Sequence, residues 1–210
     1  MSFSSPAAAT RQLILASTSP YRRELLQRLR LPFDVMAPDT DETPYVDEHP
    51  RSVARRLALA KAQAVATQHP EAVVIGSDQV ADLHGRPLGK PITHERAVAQ
   101  LRMMGGQTVV FHTAVAVVCK ASSFESVDVA QVSVTFRDSD TGMSDADIEA
   151  YLLAEKPYDC AGSAKSEALG IALLARLQSD DPTALVGLPL IKTVSLLRAA
   201  GVPVLAGAAA

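Results

Sequence analysis

The chain has 210 residues, 48% hydrophobic and 20% charged, and its 20 Lys and Arg against 23 Asp and Glu leave a net charge of −3. Such values suit one globular domain and exclude a disordered, collagenous or coiled-coil protein. An acidic balance without a basic run excludes bulk binding to a nucleic-acid polymer, which rests on phosphate neutralisation, and leaves a single nucleotide open as a small ligand.

Met1 to Thr10 has neither a basic start nor a long apolar centre, so no secretory signal is expected. Residues 1–11 and 204–210 are rich in small residues and are expected to be frayed tails. Leu13-Ile14-Leu15 predicts a short buried strand, and Ser17-Thr18-Ser19-Pro20 is a helix-start signal. A helix then fits Tyr21 to Leu29, with Leu25, Leu26 and Leu29 on one face. Phe33 to Met36 reads as a second strand, and the proline-rich, acidic stretch Ala37 to Pro50 as a loop. Ser52 is expected to cap a long helix reaching about Thr67, with Val53, Leu57, Ala60 and Ala64 as its inner stripe.

Ala72 to Gly76 is a continuous apolar strand expected to end at Ser77-Asp78-Gln79. His84-Gly85 predicts a turn and Gly89-Lys90-Pro91 a loop, followed by a helix from Thr93 to Met104 that stops at Gly105-Gly106. Thr108 to Val118 and Val127 to Phe136 are enriched in β-branched residues and read as two long antiparallel strands. Ser144 caps a helix through Leu153, with Asp147 completing a capping box. Ile171 to Leu174 reads as a strand, and a last helix covers about Leu190 to Ala200. Early alternation of strands and helices followed by hairpin-like strands predicts an α/β fold with a mixed sheet. No run approaches the ~20 apolar residues of a membrane span. Cys119 and Cys160 are far apart, form no C-x-x-C, and read as reduced thiols of a cytoplasmic protein.

There is no G-x-S-x-G elbow, P-loop, G-x-G-x-x-G or H-E-x-x-H. His49, His69, His84, His94 and His112 have no ligand spacing and are read as surface or loop residues. Four loops at strand ends remain. Ser17, Ser19 and the backbone at a helix start, with Arg22 and Arg23, make either an anion site or an ordinary cap beside solvated arginines. Asp39-Thr40-Asp41-Glu42 is either a divalent-cation site beside a phosphate chain or a solvated acidic loop. Asp78 at the end of a buried strand is a metal ligand, a general base, or a turn carboxylate. Lys90 between Gly89 and Pro91 is a phosphate contact or plain turn punctuation. Together the groups fit a single chemistry, in which basic groups hold a polyphosphate and the carboxylates, Glu42 and Asp78 among them, hold Mg²⁺ or Mn²⁺ and activate water. The residues alone lead to a metal-dependent phosphoanhydride hydrolase.

In this order, Leu15-Ala16-Ser17-Thr18-Ser19-Pro20-Tyr21-Arg22-Arg23, Asp41-Glu42, Leu59-Ala60-Lys61-Ala62, Gly76-Ser77-Asp78-Gln79-Val80, Gly89-Lys90-Pro91, Cys160-Ala161-Gly162-Ser163-Ala164-Lys165-Ser166-Glu167 and Val186-Gly187-Leu188-Pro189-Leu190 resemble the Maf family of nucleoside triphosphate pyrophosphatases. The resemblance covers about Leu13 to Leu197. It implies an elongated mixed α/β sheet, flanked by helices, in a single domain of two lobes around a central cleft, related to the inosine triphosphatases. It also implies cleavage of a nucleoside triphosphate between its α and β phosphates, and often a homodimer. By motif, Asp78 is the proton acceptor, Arg22 and Lys90 contact phosphates and Glu42 helps hold the metal. Ser17, Ser19, Arg23 and Lys61 are the further substrate-binding candidates, Lys61 standing at the edge of the helix stripe, where it reaches the cleft or packs.

Tyr21, Gln79 and Glu167 are the candidate specificity residues. With Asp78-Gln79-Val80 and Ser163-Ala164-Lys165-Ser166-Glu167 the chain resembles the branch acting on 7-methylguanosine triphosphate, whose cationic base suits a carboxylate and an aromatic ring. The alternatives are the thymidine and uridine triphosphate branch, and a nucleotide-binding inhibitor of septum formation.

Overall fold

A computed structural model describes residues 11–205; the frayed-tail expectation for residues 1–10 and 206–210 lies outside that range. At the far end, Val204 is 3% exposed and packs with Leu13, Leu25 and Leu197, so the ordered core reaches further than expected.

Among the described residues, seven strands and five helices follow in chain order. They are β1 (Leu13–Ala16), α1 (Pro20–Gln27), β2 (Asp34–Met36), α2 (Pro50–Gln68), β3 (Val73–Leu83), β4 (Arg86–Leu88), α3 (His94–Met104), β5 (Thr108–Cys119), β6 (Phe124–Phe136), α4 (Asp145–Glu155), β7 (Leu174–Ser179) and α5 (Leu190–Ala199). The sheet order is β2-β1-β3-β5-β6-β7, with β4 paired to β3. β2, β1 and β3 run parallel, and β3, β5, β6 and β7 are successively antiparallel. β1 reads Leu-Ile-Leu-Ala and is wholly buried, as a parallel strand covered on both faces requires.

β3, β5 and β6 are long and carry two packing regions along their length. Near the start of β3, α2 covers one face, setting Val53, Leu57 and Ala58 on Ile14, Val74 and Ala116. On the opposite face α1 and α5 pack Leu25, Leu26 and Leu197 against Leu15, Ile75 and Val117. Towards its end, α3 and α4 set Leu101, Met104 and Leu152 on Leu83, Phe111, Val132 and Phe136. This mixed sheet flanked by helices is the α/β architecture expected.

Four local expectations change. β3 does not end at Asp78 but runs on to Leu83, because Val80, Ala81 and Leu83 are buried and the strand pairs with β5 as far as Asp82. The cap of α2 is His49, whose Nδ1 accepts the Arg51 N–H at 3.2 Å, with Pro50 in the first turn, so Ser52 lies inside the helix. The buried stripe of α2 is Val53, Leu57, Lys61 and Val65 with alanines beside them, whereas Ala60 and Ala64 are half-buried. Leu169–Leu173 form a 3₁₀ turn rather than a strand. There the chain folds onto itself so closely that a Cβ at Gly170 would lie 2.5 Å from the Lys165 carbonyl oxygen.

Candidate active site

The cleft lies where one edge of β3 loses its neighbour. β1 pairs with β3 up to the register Ala16↔Gly76, and β4 takes the same edge from Ala81↔Leu88. Ser77, Asp78, Gln79 and Val80 lie between the two, paired only with β5 on the other side. The loops leaving β1 and β4 both open at this gap. A cavity of about 520 Å³ lies there, lined among others by Ser17, Ser19, Tyr21, Arg22, Glu42, Lys61, Asp78, Gln79 and Lys90.

Gly76 explains how α2 brings its lysine to Asp78. A Cβ at Gly76 would stand 2.2 Å from the Ala58 carbonyl oxygen and 2.7 Å from the Ala62 nitrogen, so helix and strand touch backbone to backbone. Lys61 Nζ then reaches Asp78 Oδ1 and Glu42 Oε1, each at 2.7 Å. Lys61 and Asp78 are buried, while the Glu42 side chain is 61% exposed at the rim. Burial pushes the Asp78 carboxyl above the usual carboxylate range, against the opposing pull of Lys61 and Arg22. A raised carboxylate pKa is what a general base working near neutral pH needs.

The start of α1 lines another side of the cleft. Ser19 caps the helix, its Oγ accepting the Arg22 N–H at 3.4 Å, and Ser17 Oγ accepts the Ser19 N–H at 3.1 Å. Arg22 Nε donates to the Gly187 carbonyl oxygen at 2.9 Å, and Nη1 lies 3.5 Å from Ser17 Oγ. The guanidinium thereby lines the same cleft as Lys61, with its field felt at Asp78. Lys90 also lines the cleft, on an exposed loop whose Ile92 N–H donates to the Tyr158 carbonyl oxygen at 3.1 Å. Ile92 has a φ of 67°, a left-handed backbone that a β-branched residue rarely adopts. Arg23 is not among the residues lining this cleft; it lines a separate groove with Leu31, Phe33 and Asp34.

A smaller chamber of about 120 Å³ shares Tyr21, Arg22, Gln79, Lys90 and Asp159 with the cleft and adds Phe111, Cys160 and Glu167. Gln79 Nε2 lies 2.9–3.0 Å from Thr113 Oγ1 and from the carbonyl oxygens of Ala184 and Leu185. Two carbonyls fix which end of the amide donates, and no donor among the described residues engages Oε1, so an acceptor is left at the chamber. Burial, with the nearby Cys160, Asp159 and Glu167, raises the Tyr21 phenol and keeps it neutral. Burial and Asp159 push the Cys160 thiol up to about 12, so it is no thiolate nucleophile. The two cysteines are free thiols, as expected from their spacing.

The structure thus brings the singled-out site residues together at the two chambers except Arg23 and, from the acidic loop, Asp39 and Asp41, which line neither. Sequence reasoning missed Asp159, which lines both chambers. Its place immediately before the Cys160-to-Glu167 motif was the available signal. It also placed His112 at the surface, whereas His112 is 3% exposed in the middle of β5, beside His49 and Asp82.

Lys61 engages one oxygen of each cleft carboxylate. Asp78 Oδ2 and Glu42 Oε2 accept no hydrogen bond among the described residues. These are hard oxygen donors of the kind that suit Mg²⁺ or Mn²⁺, so the donor set fits a divalent cation there without removal of Lys61.

A hydroxyl-rich helix start with Arg22, a buried carboxylate and a lysine that bridges two carboxylates around one cleft are a donor and acceptor set that suits an enzyme acting on a phosphate chain. The sequence profile of the family described as Maf-like protein matches residues 12–200, and the chain belongs to the Maf family. It is 68% identical over 197 residues to a 7-methyl-GTP pyrophosphatase of Polaromonas sp. (strain JS666), covering 94% of this chain and 88% of that one. Over 195 residues it is 63% identical to the 7-methyl-GTP pyrophosphatase of Albidiferax ferrireducens, covering 93% and 96%. The protein of that name from Cupriavidus pinatubonensis is 56% identical over 192 residues, covering 91% and 94%.

Proposed function

We propose that the protein hydrolyses the α–β phosphoanhydride of 7-methylguanosine triphosphate, giving the monophosphate and pyrophosphate, and so removes a modified nucleotide in the cytoplasm. The observation that carries the base choice is the small chamber, where Asp159 and Glu167 flank the neutral Tyr21 ring. N7-methylation makes the purine cationic, and two carboxylates with an aromatic face are the complement of a flat cation. Gln79 Oε1 and Glu167 supply acceptors for the base's N1–H and N2–H₂ donors.

The triphosphate lies along the cleft with Arg22, Lys90 and the start of α1, where the Thr18 N–H has no partner among the described residues, on its oxygens. Asp78 takes a proton from the attacking water at Oδ2 while Oδ1 stays on Lys61. The water oxygen bonds to the α phosphorus as the bond to the departing pyrophosphate breaks. Glu42 would hold the Mg²⁺ or Mn²⁺ through Oε2, leaving Asp78 Oδ2 to the water; the ion when bound would neutralise phosphate charge and lower the pKa of water. No covalent intermediate is needed, in keeping with the protonated Cys160.

The test is a turnover screen of nucleoside triphosphates with products separated by chromatography. Monophosphate and pyrophosphate are expected, with 7-methylguanosine triphosphate ahead of uridine and thymidine triphosphates. A diphosphate product overturns the reaction, and a pyrimidine preference overturns the base assignment. Chelation should stop turnover and Mg²⁺ or Mn²⁺ alone should restore it. Asp78→Asn should lose about 10²- to 10⁴-fold in rate, the contribution of a positioned base, with its circular dichroism unchanged; retention of a tenth of the rate removes Asp78 from that role.

A further inference from the structure

α2 lays a second set of ionisable groups on the sheet, away from the cleft. Asp82 lies on the same face of β3 as Asp78, four residues on and about 13 Å along an extended strand. There His49, at the start of α2, and His112, on β5, come together with it: one donor atom from each of the three lies within 4.8 Å of the other two. His112 Nε2 stands 3.2 Å from Asp82 Oδ2, and Asp82 Oδ1 accepts the Gly85 N–H at 2.6 Å. His112 and Asp82 are buried, at 3% and 8% exposure, while His49 is exposed. His112 Nδ1 is buried with no hydrogen-bond partner among the described residues, an uncommon state for a ring nitrogen inside a protein.

We propose that His49, Asp82 and His112 form a second cation site, distinct from the cleft, that takes a transition-metal ion of the zinc class. Two imidazoles and one carboxylate, with a further position left to water, are an established zinc donor set, and imidazole does not suit magnesium. Zinc bonds of 2.0–2.1 Å place tetrahedral ligands about 3.4 Å apart, so the present separations close by about 1.4 Å at most. The exposed His49 side chain can supply that movement and gives the ion a way in. Burial, against the pull of Asp82, holds His112 below the ordinary imidazole range, in the neutral form a metal needs. Arg51 and the positive start of α2 oppose a cation; two buried ligands, one of them a carboxylate, offset them. The ion would tie the start of α2, and the end of the loop that carries Glu42, to β3 and β5.

One consequence follows from the cap. His49 Nδ1 now accepts the Arg51 N–H. A metal on Nδ1 takes that lone pair, and a metal on Nε2 leaves Nδ1 protonated. Either way the cap bond is released, and the Arg51 amide reports it.

The experiment titrates chelator-treated full-length protein with Zn²⁺ alone by calorimetry, without nucleotide. One Zn²⁺ per chain is expected, with a shift of the Arg51 amide resonance and a rise in Tm of about 5–10 °C at a hundred times Kd. His49→Ser keeps a capping oxygen at the helix start while removing the imidazole. It should fold as the parent does and bind Zn²⁺ at least about tenfold more weakly, by the outer range seen when metal-site groups are altered; His112→Gln should do the same. Glu42→Gln and Asp78→Asn should still bind one ion. Absence of zinc binding, unchanged binding in a folded His49→Ser protein, or loss of binding in the cleft variants instead would each overturn the site. The inference does not rest on the nucleotide reading, since a protein that hydrolyses no nucleotide would still give this titration.

Discussion

Burial and Lys61 act in opposite senses on Asp78, the base proposed for the reaction. The Lys61 ammonium lowers a carboxyl that burial raises, with burial the larger effect. A general base acts deprotonated, so the rate falls as pH drops through the folded-state pKa of Asp78. Because that value is raised, the acid limb of kcat/KM should lie above the ~3.9 of an ordinary Asp. Lys61→Met removes the charge that favours the carboxylate and should move the limb to higher pH, whereas Lys61→Arg should leave it near the parental position. A pH–rate series on the three proteins checks this, and a Met variant whose limb stays put would reduce Lys61 to packing. At the base end, Glu167 is exposed, so the hydrogen bond proposed for it with a cationic base would belong at the low end of the ~1.5–3 kcal/mol range for charged partners. Glu167→Gln should therefore lower the ratio of specificity constants, 7-methylguanosine over uridine triphosphate, about tenfold. An unchanged ratio would leave Asp159 as the carboxylate that reads the base.

At the scale of elements, the site depends on how closely α2 approaches β3. Gly76→Ala places a methyl group where the Ala58 carbonyl oxygen already stands. Overpacking of this kind costs about 1–3 kcal/mol, and each kcal/mol lowers Tm by about 2–4 °C in a chain of this size. The helix must move off the strand, so turnover should fall as well, because Lys61 is carried on the displaced segment. Thermal melting and steady-state rates together test both effects, and a variant with parental Tm would contradict the contact. The same pair of elements marks how far the sequence could be read. Continuous apolar runs announced β1 and the start of β3, and the Ser144–Asp147 box announced α4, because each signal is local. The continuation of β3 through Ser77-Asp78-Gln79 was hidden, since three polar residues in a row look like a strand end. Only β5 beside them, pairing from Val74 to Asp82, keeps them in the sheet. The His49 cap is local but was hidden because Ser, not His, is the preferred capping residue and Ser52 stood nearby; the His49–Asp82–His112 cluster was illegible because it joins positions far apart in the chain, and nothing in their spacing encodes a distance.

At the scale of the whole molecule, the long strands carry one packing region at each end and the cleft between them. Glu42 and Lys61 come from the side built on α2, and Lys90 from the loop between β4 and α3. A ligand that spans the cleft must therefore order segments anchored in different cores. Glu42 sits in a stretch without regular secondary structure between β2 and α2, held locally by Arg56 on Glu48 and on the Tyr45 ring. The loop of Lys90 is tied to the rest through Ile92 on Tyr158 and Gln100 on Gly89. Amide hydrogens in both segments are expected to exchange from local openings well below the global unfolding free energy. A non-hydrolysable 7-methylguanosine triphosphate analogue, with the α–β bridging oxygen replaced, should slow exchange in residues 37–48 and 84–92 together. At a hundred times its Kd the bound state gains about 2.7 kcal/mol, so protection in either segment can rise by at most about a hundredfold. Pyrophosphate alone should protect the same two segments, and the chamber residues 159–167 only in the presence of the base. Protection confined to one of the two loops would mean that the triphosphate does not bridge the packing regions, and the assignment of Lys90 and Glu42 to one substrate would fail.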